Sequence, residues 1–232
     1  MNPPLSDRRP EKRKAQLVAL TDAAERRIAE GGAASLRARD LAADIGIALG
    51  GLYNIVADLD ELLLRVSSRT LGRLGEALTA ASGALPLQTK DDAVNRLVAI
   101  AHAYLHFARD NLLLWRTLFE LHFADDMVLP AWAADDQLRL FRHVAEPLAL
   151  LLPDMDEPRQ TLAARTLFAA VHGIVTLGLE ERLVAVPLTA LEAQIEWLVR
   201  ATCRGLREQE SPIPPAQFLV LGSSACAEED NL

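Results

Sequence analysis

Residues 35–64 read SLRARDLAADIGIALGGLYNIVADLDELLL, and the spacing within them decides the fold. Leu41 and Ile45 mark a short helix that stops at Gly46, and a second short helix starts near Ala48 and ends before Asp58. Asp58 is placed to cap a longer helix whose Leu62, Leu63, Val66 and Leu71 keep the helical period. Two helices of about two turns therefore meet at a glycine, where a tight turn is needed. Ala42, Ile45, Leu52 and Val56 supply an apolar side for packing on a preceding helix. Small Ala48, Gly50 and Gly51 at the start of the second short helix let its backbone approach a phosphate or base edge, and Tyr53 and Asn54 add hydrogen-bonding groups. That is the shape of a DNA-reading helix pair. Short glycine-joined pairs also occur inside ordinary helical cores, so this geometry alone leaves both readings open.

Outward from this stretch, apolar residues recur at helical spacing along almost the whole chain of 232 residues, while strand-like alternation is nearly absent. The fold class is all-α. A first helix over about 11–30 carries Leu17, Leu20, Ala24 and Ile28 on one stripe and ends at Gly31-Gly32. Further helices are expected at about 58–80, 90–109, 111–123, 131–152, 157–183 and 188–207, with Pro147 kinking or dividing the 131–152 helix. Residues 1–57 form an N-terminal three-helix unit with a basic arm. Residues 58–207 form a larger helical domain joined to it by the 58–80 helix, and 208–232 form a flexible tail. With 50% apolar and 24% charged residues the chain can bury a substantial core. Its charge-free stretches, 166–179 and the proline-broken 211–227, are too short to cross a bilayer, so no membrane partner is expected. The first twenty residues lack the apolar run of a secretory signal, which points to the cytoplasm.

The net charge of −8 argues against nucleic acid until it is divided. Residues 1–70 hold eleven basic and ten acidic residues, whereas the rest hold thirteen and twenty-two. Arg8, Arg9, Lys12, Arg13 and Lys14 surround a single Glu11, a density suited to phosphate contacts and equally available to a solvated helix start.

With those features stated, residues 10–65 resemble the tetracycline-repressor (TetR) family of bacterial transcription regulators. Leu41-Ala42, Gly46, Gly50-Gly51-Leu52-Tyr53 and Glu61-Leu62-Leu63 carry the resemblance. Trp115-Arg116-x-Leu118-Phe119-Glu120 and Val171-His172-Gly173-Ile174 resemble one branch of that family's regulatory domain. The resemblance implies a homodimeric regulator, most often a repressor, that binds double-stranded operator DNA and answers to a small-molecule effector; with no Gly-rich phosphate loop, Ser nucleophile elbow or paired-carboxylate arrangement in the sequence, no enzymatic activity is expected. It places Arg37 and Tyr53 on phosphate and Leu49, Gly50 and Asn54 on base edges, with Arg8, Arg9, Lys12, Lys14, Arg39 and Ala48 completing the candidate DNA surface. Arg39 has an alternative as a surface residue paired with Asp40 or Asp44. The family usually has Ser or Thr at the position of Ala48, an aromatic or His pair at Ile55 and Val56, and Lys at Leu59. These departures motivate a second reading, a helical ligand-binding or scaffold protein with weakened DNA affinity.

Residues 93–143 concentrate seven of the eleven aromatic residues. Such a cluster either lines an apolar ligand pocket or is core, and the resemblance favours a pocket formed by Tyr104, Phe107, Trp115, Phe119, His122, Phe141 and His172. His102 and His106 have the spacing of a metal pair, but no third ligand is identifiable, so no metal and no cofactor are expected. Small residues in the last two helices suit close helix approach. The resemblance implies a four-helix dimer interface there, with Leu167, Val171, Ile174, Leu177, Ile195 and Leu198 as candidates.

Overall fold

The computed structural model describes residues 8–120, 130–180 and 186–208; the side chains of residues 8, 9, 131–134 and 137 are outside that description. The expected tail, 208–232, falls outside it from residue 209 onward. Among the described residues there are nine α-helices, one 3-10 turn and no strand. They are α1 (Arg8–Gly31), α2 (Ala38–Asp44), α3 (Leu49–Leu52), α4 (Leu59–Gly83), α5 (Lys90–Asp110), α6 (Leu112–Glu120), α7 (Ala131–Leu151), α8 (Glu157–Leu179) and α9 (Leu188–Glu208), with the 3-10 turn at Ala33–Ser35.

Local chemistry explains the helix starts. Asp58 accepts the Glu61 N–H at 2.7 Å, which satisfies one orphan donor at the start of α4, and the Glu61 carboxylate accepts the N–H of Ala57, just before the cap, at 2.7 Å. Thr89 and Asp92 form a reciprocal capping box on α5, and Asp156 accepts the Arg159 N–H at the start of α8. Gly46 turns α2 into α3 at φ 68°, a left-handed conformation that suits glycine.

Two buried clusters result. Leu20, Ala24 and Ile28 of α1, Leu41 and Ala42 of α2, Leu52, Ile55 and Val56 around α3, Leu62 and Val66 of α4, and Leu114 of α6 form one. The larger cluster gathers Leu74 and Leu78 of α4 with α5, α7, α8, α9 and Trp115 of α6. Helix α4 therefore belongs to both.

Three expectations need correction. The third helix was expected to run from Ala48 to before Asp58, but α3 is one turn: Gly50 and Gly51 weaken it and Ile55 and Val56 turn inward to the core. Pro147 does not divide α7, which continues through it to Leu151. Helix α8 is long and apolar enough, by length and composition alone, to cross a membrane, since Arg165 is its one formal charge between Leu162 and Leu179. It packs instead on α5, α7 and α9.

The α8–α9 approach depends on Gly178, where an added Cβ would sit 2.8 Å from buried Leu191. Gly178→Ala is expected to destabilise the protein by about 1–3 kcal/mol through overpacking. Gly72→Ala on α4, where a Cβ meets nothing within 4 Å, should be neutral or stabilising by up to about 1 kcal/mol. Urea denaturation of the two variants checks the contrast.

Candidate functional site

Helix α2 is held against α1 by one cation. Arg27 donates to both carboxylate oxygens of Asp44 at 2.6 and 2.9 Å and lies 3.8 Å from Asp40. Because both acids are engaged there, Arg39 has no ion pair among the described residues, which removes its alternative as their partner. Arg37, at the N-cap of α2, and Arg39 are exposed, as are Lys12 and Lys14 on α1. Ala48, Leu49, Gly50, Tyr53 and Asn54 are also exposed, with Tyr53 52% open, so the candidate base-reading and phosphate residues share one short stretch. Tyr53 and Asn54 follow α3 in a turn rather than extending it. Arg13 reaches across to the Ile55 carbonyl at 3.5 Å, joining the basic arm to that turn. The side chains of Arg8 and Arg9 lie outside the described residues.

Behind this head, α4 is clamped to α1. Arg69 donates to Asp22 at 2.5 Å and lies 3.4 Å from Glu25, while Arg73 pairs with Glu25 at 2.6 Å. On the same stretch of α4, an apolar cavity of about 350 Å³ opens between α4, α5, α6, α7, α8 and α9. Of the expected pocket residues, Tyr104, Phe119 and Phe141 line it. Phe107 is buried core and not wall, and Trp115 and His172 stand behind the wall. His122 lies outside the described residues. Phe168, and Leu64, Ser67, Ser68 and Leu71 of α4, also line the cavity and were missed by the sequence reading. Aromatic enrichment in 93–143 gave no signal for α4, because leucine and serine at helical spacing read simply as a helix face.

A polar relay supports the aromatic wall. Trp115 Nε1 donates to the Tyr104 hydroxyl at 3.0 Å, and that hydroxyl is hydrogen-bonded to His172 Nδ1 at 2.8 Å. His172 Nε2 in turn faces the Thr176 hydroxyl at 3.3 Å. Burial depresses the His172 pKa and raises that of Tyr104, so both stay neutral near pH 7.

The candidate dimer residues divide sharply. Leu167 and Val171 line the cavity and Ile195 is fully buried, so these three cannot meet a second chain. Their i, i+4 positions belong to the inward stripe. Ile174 and Leu198 are half-buried against the same core, and only Leu177 is open, at 46%. Trp197, 66% exposed on α9, was missed; its place off the Leu191–Ile195–Val199–Cys203 stripe is the signal that could have found it. His102 and His106 both face the Glu192 carboxylate, at 3.8 and 3.4 Å, and among the described residues no group of three ligating side chains is placed to hold a metal.

Residues 97–202 match the family described as "Tetracyclin repressor-like, C-terminal domain". That match takes in somewhat less than half of the chain and makes its second half similar to the C-terminal domain of tetracycline-repressor-like proteins. Among curated proteins, none matches it. Solved structures with the same fold include a protein of unknown function from Rhodococcus sp. RHA1, 22% identical with a TM-score of 0.67, the match covering 83% of this chain and 96% of that one. PfmR, a TetR-family transcriptional regulator from Thermus thermophilus, is 15% identical with a TM-score of 0.54 over 80% of this chain and 97% of its own. RolR, solved with the ligand resorcinol, is 18% identical with a TM-score of 0.60 over 88% of this chain and 99% of its own.

The matched region contains Tyr104, Trp115, Phe119, Phe141, Phe168 and His172, whose rings form one connected cluster with Phe119 and His172 4.2 Å apart. Because the folded state resists protonating His172, stability from this group is full above the unfolded pKa of about 6.5 and is lost as pH falls through the lower folded value. His143, also depressed by burial, adds a loss of the same sign. His172→Gln should therefore show a smaller fall in Tm between pH 7.5 and 5.0 than the unsubstituted protein, with the His143 contribution common to both. Parallel Tm profiles would contradict the assignment.

Proposed function

We propose that this protein is a TetR-type transcriptional regulator, a cytoplasmic homodimer that binds double-stranded operator DNA through residues 1–57 and acts as a repressor released by a small apolar effector held in residues 58–207. The observation that carries the proposal is the sharing of α4: Leu62 and Val66 pack in the reading head, while Leu64, Ser67 and Leu71 line the cavity and Leu74 and Leu78 continue into the second core. Helix α6 runs alongside, with Leu114 in the first core and Phe119 on the cavity wall. An apolar molecule between these helices contacts the elements that carry the reading surface. RolR's complex with resorcinol supports a small-molecule effector for this fold.

Arg37, Lys12, Lys14 and Arg39 are proposed to hold phosphate, with Arg8 and Arg9 from the arm; Asn54, Leu49, Gly50 and Ala48 meet base edges beside Tyr53. The scaffold alternative loses part of its motive, since Ile55 and Val56 are buried in the reading-head core and serve packing there. For the second copy, the outward faces of α8 and α9 offer Trp197 and Leu177 among small, open Ala169, Ala193, Ala201 and Gly205. Isologous pairing of that face would bury the exposed side of α8 and present two reading heads to two half-sites.

Selection of operator from genomic fragments, followed by binding titrations, tests the DNA assignments. Asn54→Ala should cost about 1–3 kcal/mol and relax preference at one base position, whereas Arg37→Ala should weaken all sequences and flatten the salt slope by about one. Equal losses on specific and random DNA for Asn54→Ala would count against base reading.

Trp197→Glu should convert a dimer to monomer at micromolar concentration, measured by sedimentation, and lower operator affinity with it. Gly173→Leu should do the same without unfolding the monomer, because a Cβ there meets nothing within 4 Å. Dimers that survive both changes would place the interface elsewhere.

A further inference from the structure

The effector cavity has one polar focus that no protein group satisfies. Among the α4 hydroxyls, Thr70 donates to the Val66 carbonyl at 2.9 Å, Thr79 to Gly75 at 2.8 Å and Ser82 to Leu78 at 2.7 Å. Ser68, on the cavity wall, donates to the Asp136 carboxylate. Ser67 differs: it lines the cavity, is only 5% exposed, and its Oγ has no hydrogen-bond partner. A buried hydroxyl left unpaired costs free energy that a ligand group can recover.

The rest of the wall narrows the chemistry. Among the described residues no Asp, Glu, Lys, Arg or His side chain lines the cavity, and the Asp136 carboxylate behind the wall is engaged by Ser68, so a charged ligand would lose its water without gaining a free counter-ion there. The Tyr104 hydroxyl is already engaged by both Trp115 and His172. Aromatic Phe119, Phe141 and Phe168 surround the remaining space.

We infer that the effector is an uncharged, largely apolar molecule bearing one hydroxyl or carbonyl group that pairs with Ser67, making Ser67 the specificity-determining residue of the cavity. This rests on the reading of the cavity as the effector site. Because Ser67 is on α4, the polar end of the ligand bonds directly to the helix shared with the reading head, while its apolar body fills the aromatic side. A molecule lacking the polar group would still enter and would leave Ser67 unpaired.

The test displaces the uncharged fluorophore N-phenyl-1-naphthylamine from the full chain with 4-butylphenol, butylbenzene, 4-butylbenzoate and 4-butylbenzylammonium. The expected result is about 5- to 10-fold tighter binding of the phenol than of butylbenzene, with both ions weaker than either. Ser67→Ala should abolish the phenol's advantage and leave butylbenzene affinity unchanged, which also shows that the cavity is intact. Ser67→Cys, close in size and a poor hydrogen-bonding partner, gives the same readout should the alanine variant fold badly. Equal phenol and butylbenzene affinities in the unsubstituted protein, or an advantage that survives both substitutions, would overturn the role of Ser67 while leaving the cavity standing. Tighter binding of either ion would overturn the uncharged class. Failure of the fluorophore and all four probes to bind would remove the effector-cavity reading itself.

Discussion

The structure depends on one helix having to satisfy two cores. The 25-residue α4 spans about 37 Å at 1.5 Å per residue, with Leu62 and Val66 in the N-terminal cluster and Leu74 and Leu78 in the larger one. Close-packed side chains do not slide freely, so a displacement at one end must tilt the rod or repack the other end. Arg69 and Arg73 fasten the middle of α4 to Asp22 and Glu25 of α1. These are partly exposed pairs, and each contributes little stability by itself. Their effect is orientational: they set which face of α1 meets α4, while apolar burial supplies the adhesion.

Helix α6 gives the same two regions a second connection. Leu114 is buried with the reading head, and the neighbouring Trp115 is buried against the Tyr104–His172 relay. A ligand that presses on Phe119 therefore acts on α6, whereas one that bonds to Ser67 acts on α4. Occupancy changes DNA affinity only to the extent that the ligand prefers one arrangement of these helices over the other. Tight binding alone would shift nothing.

Much of this was legible in the sequence where a residue has a local job. Gly46 announced the α2–α3 turn, Asp58 the α4 cap, and the stripe Leu20, Ala24 and Ile28 the buried side of α1. The length of α3 was not legible, because Ile55 and Val56 look equally at home in a helix and in the tertiary core that captures them. The cavity was half legible: aromatic clustering pointed to Tyr104, Phe119 and Phe141, but whether Trp115 or Leu64 reaches the wall depends on helix rotations set by distant contacts. The dimer candidates Leu167, Val171 and Ile195 failed for a related reason. Apolar character marks burial without saying by which chain, and the exposed Trp197 sat on the face that the apolar pattern left out.

The proposed function requires that the cavity and the N-terminal helix pair be energetically one system through α4 and α6. Calorimetric titration of a cavity ligand that lowers operator affinity, into free protein and into protein saturated with its selected operator fragment, tests it most directly. The account predicts weaker ligand binding in the presence of operator, by the same factor by which ligand weakens operator binding, about 5- to 150-fold for coupling of ordinary size. Equal ligand affinities with and without operator would contradict it and leave the larger domain as a dimerisation platform alone.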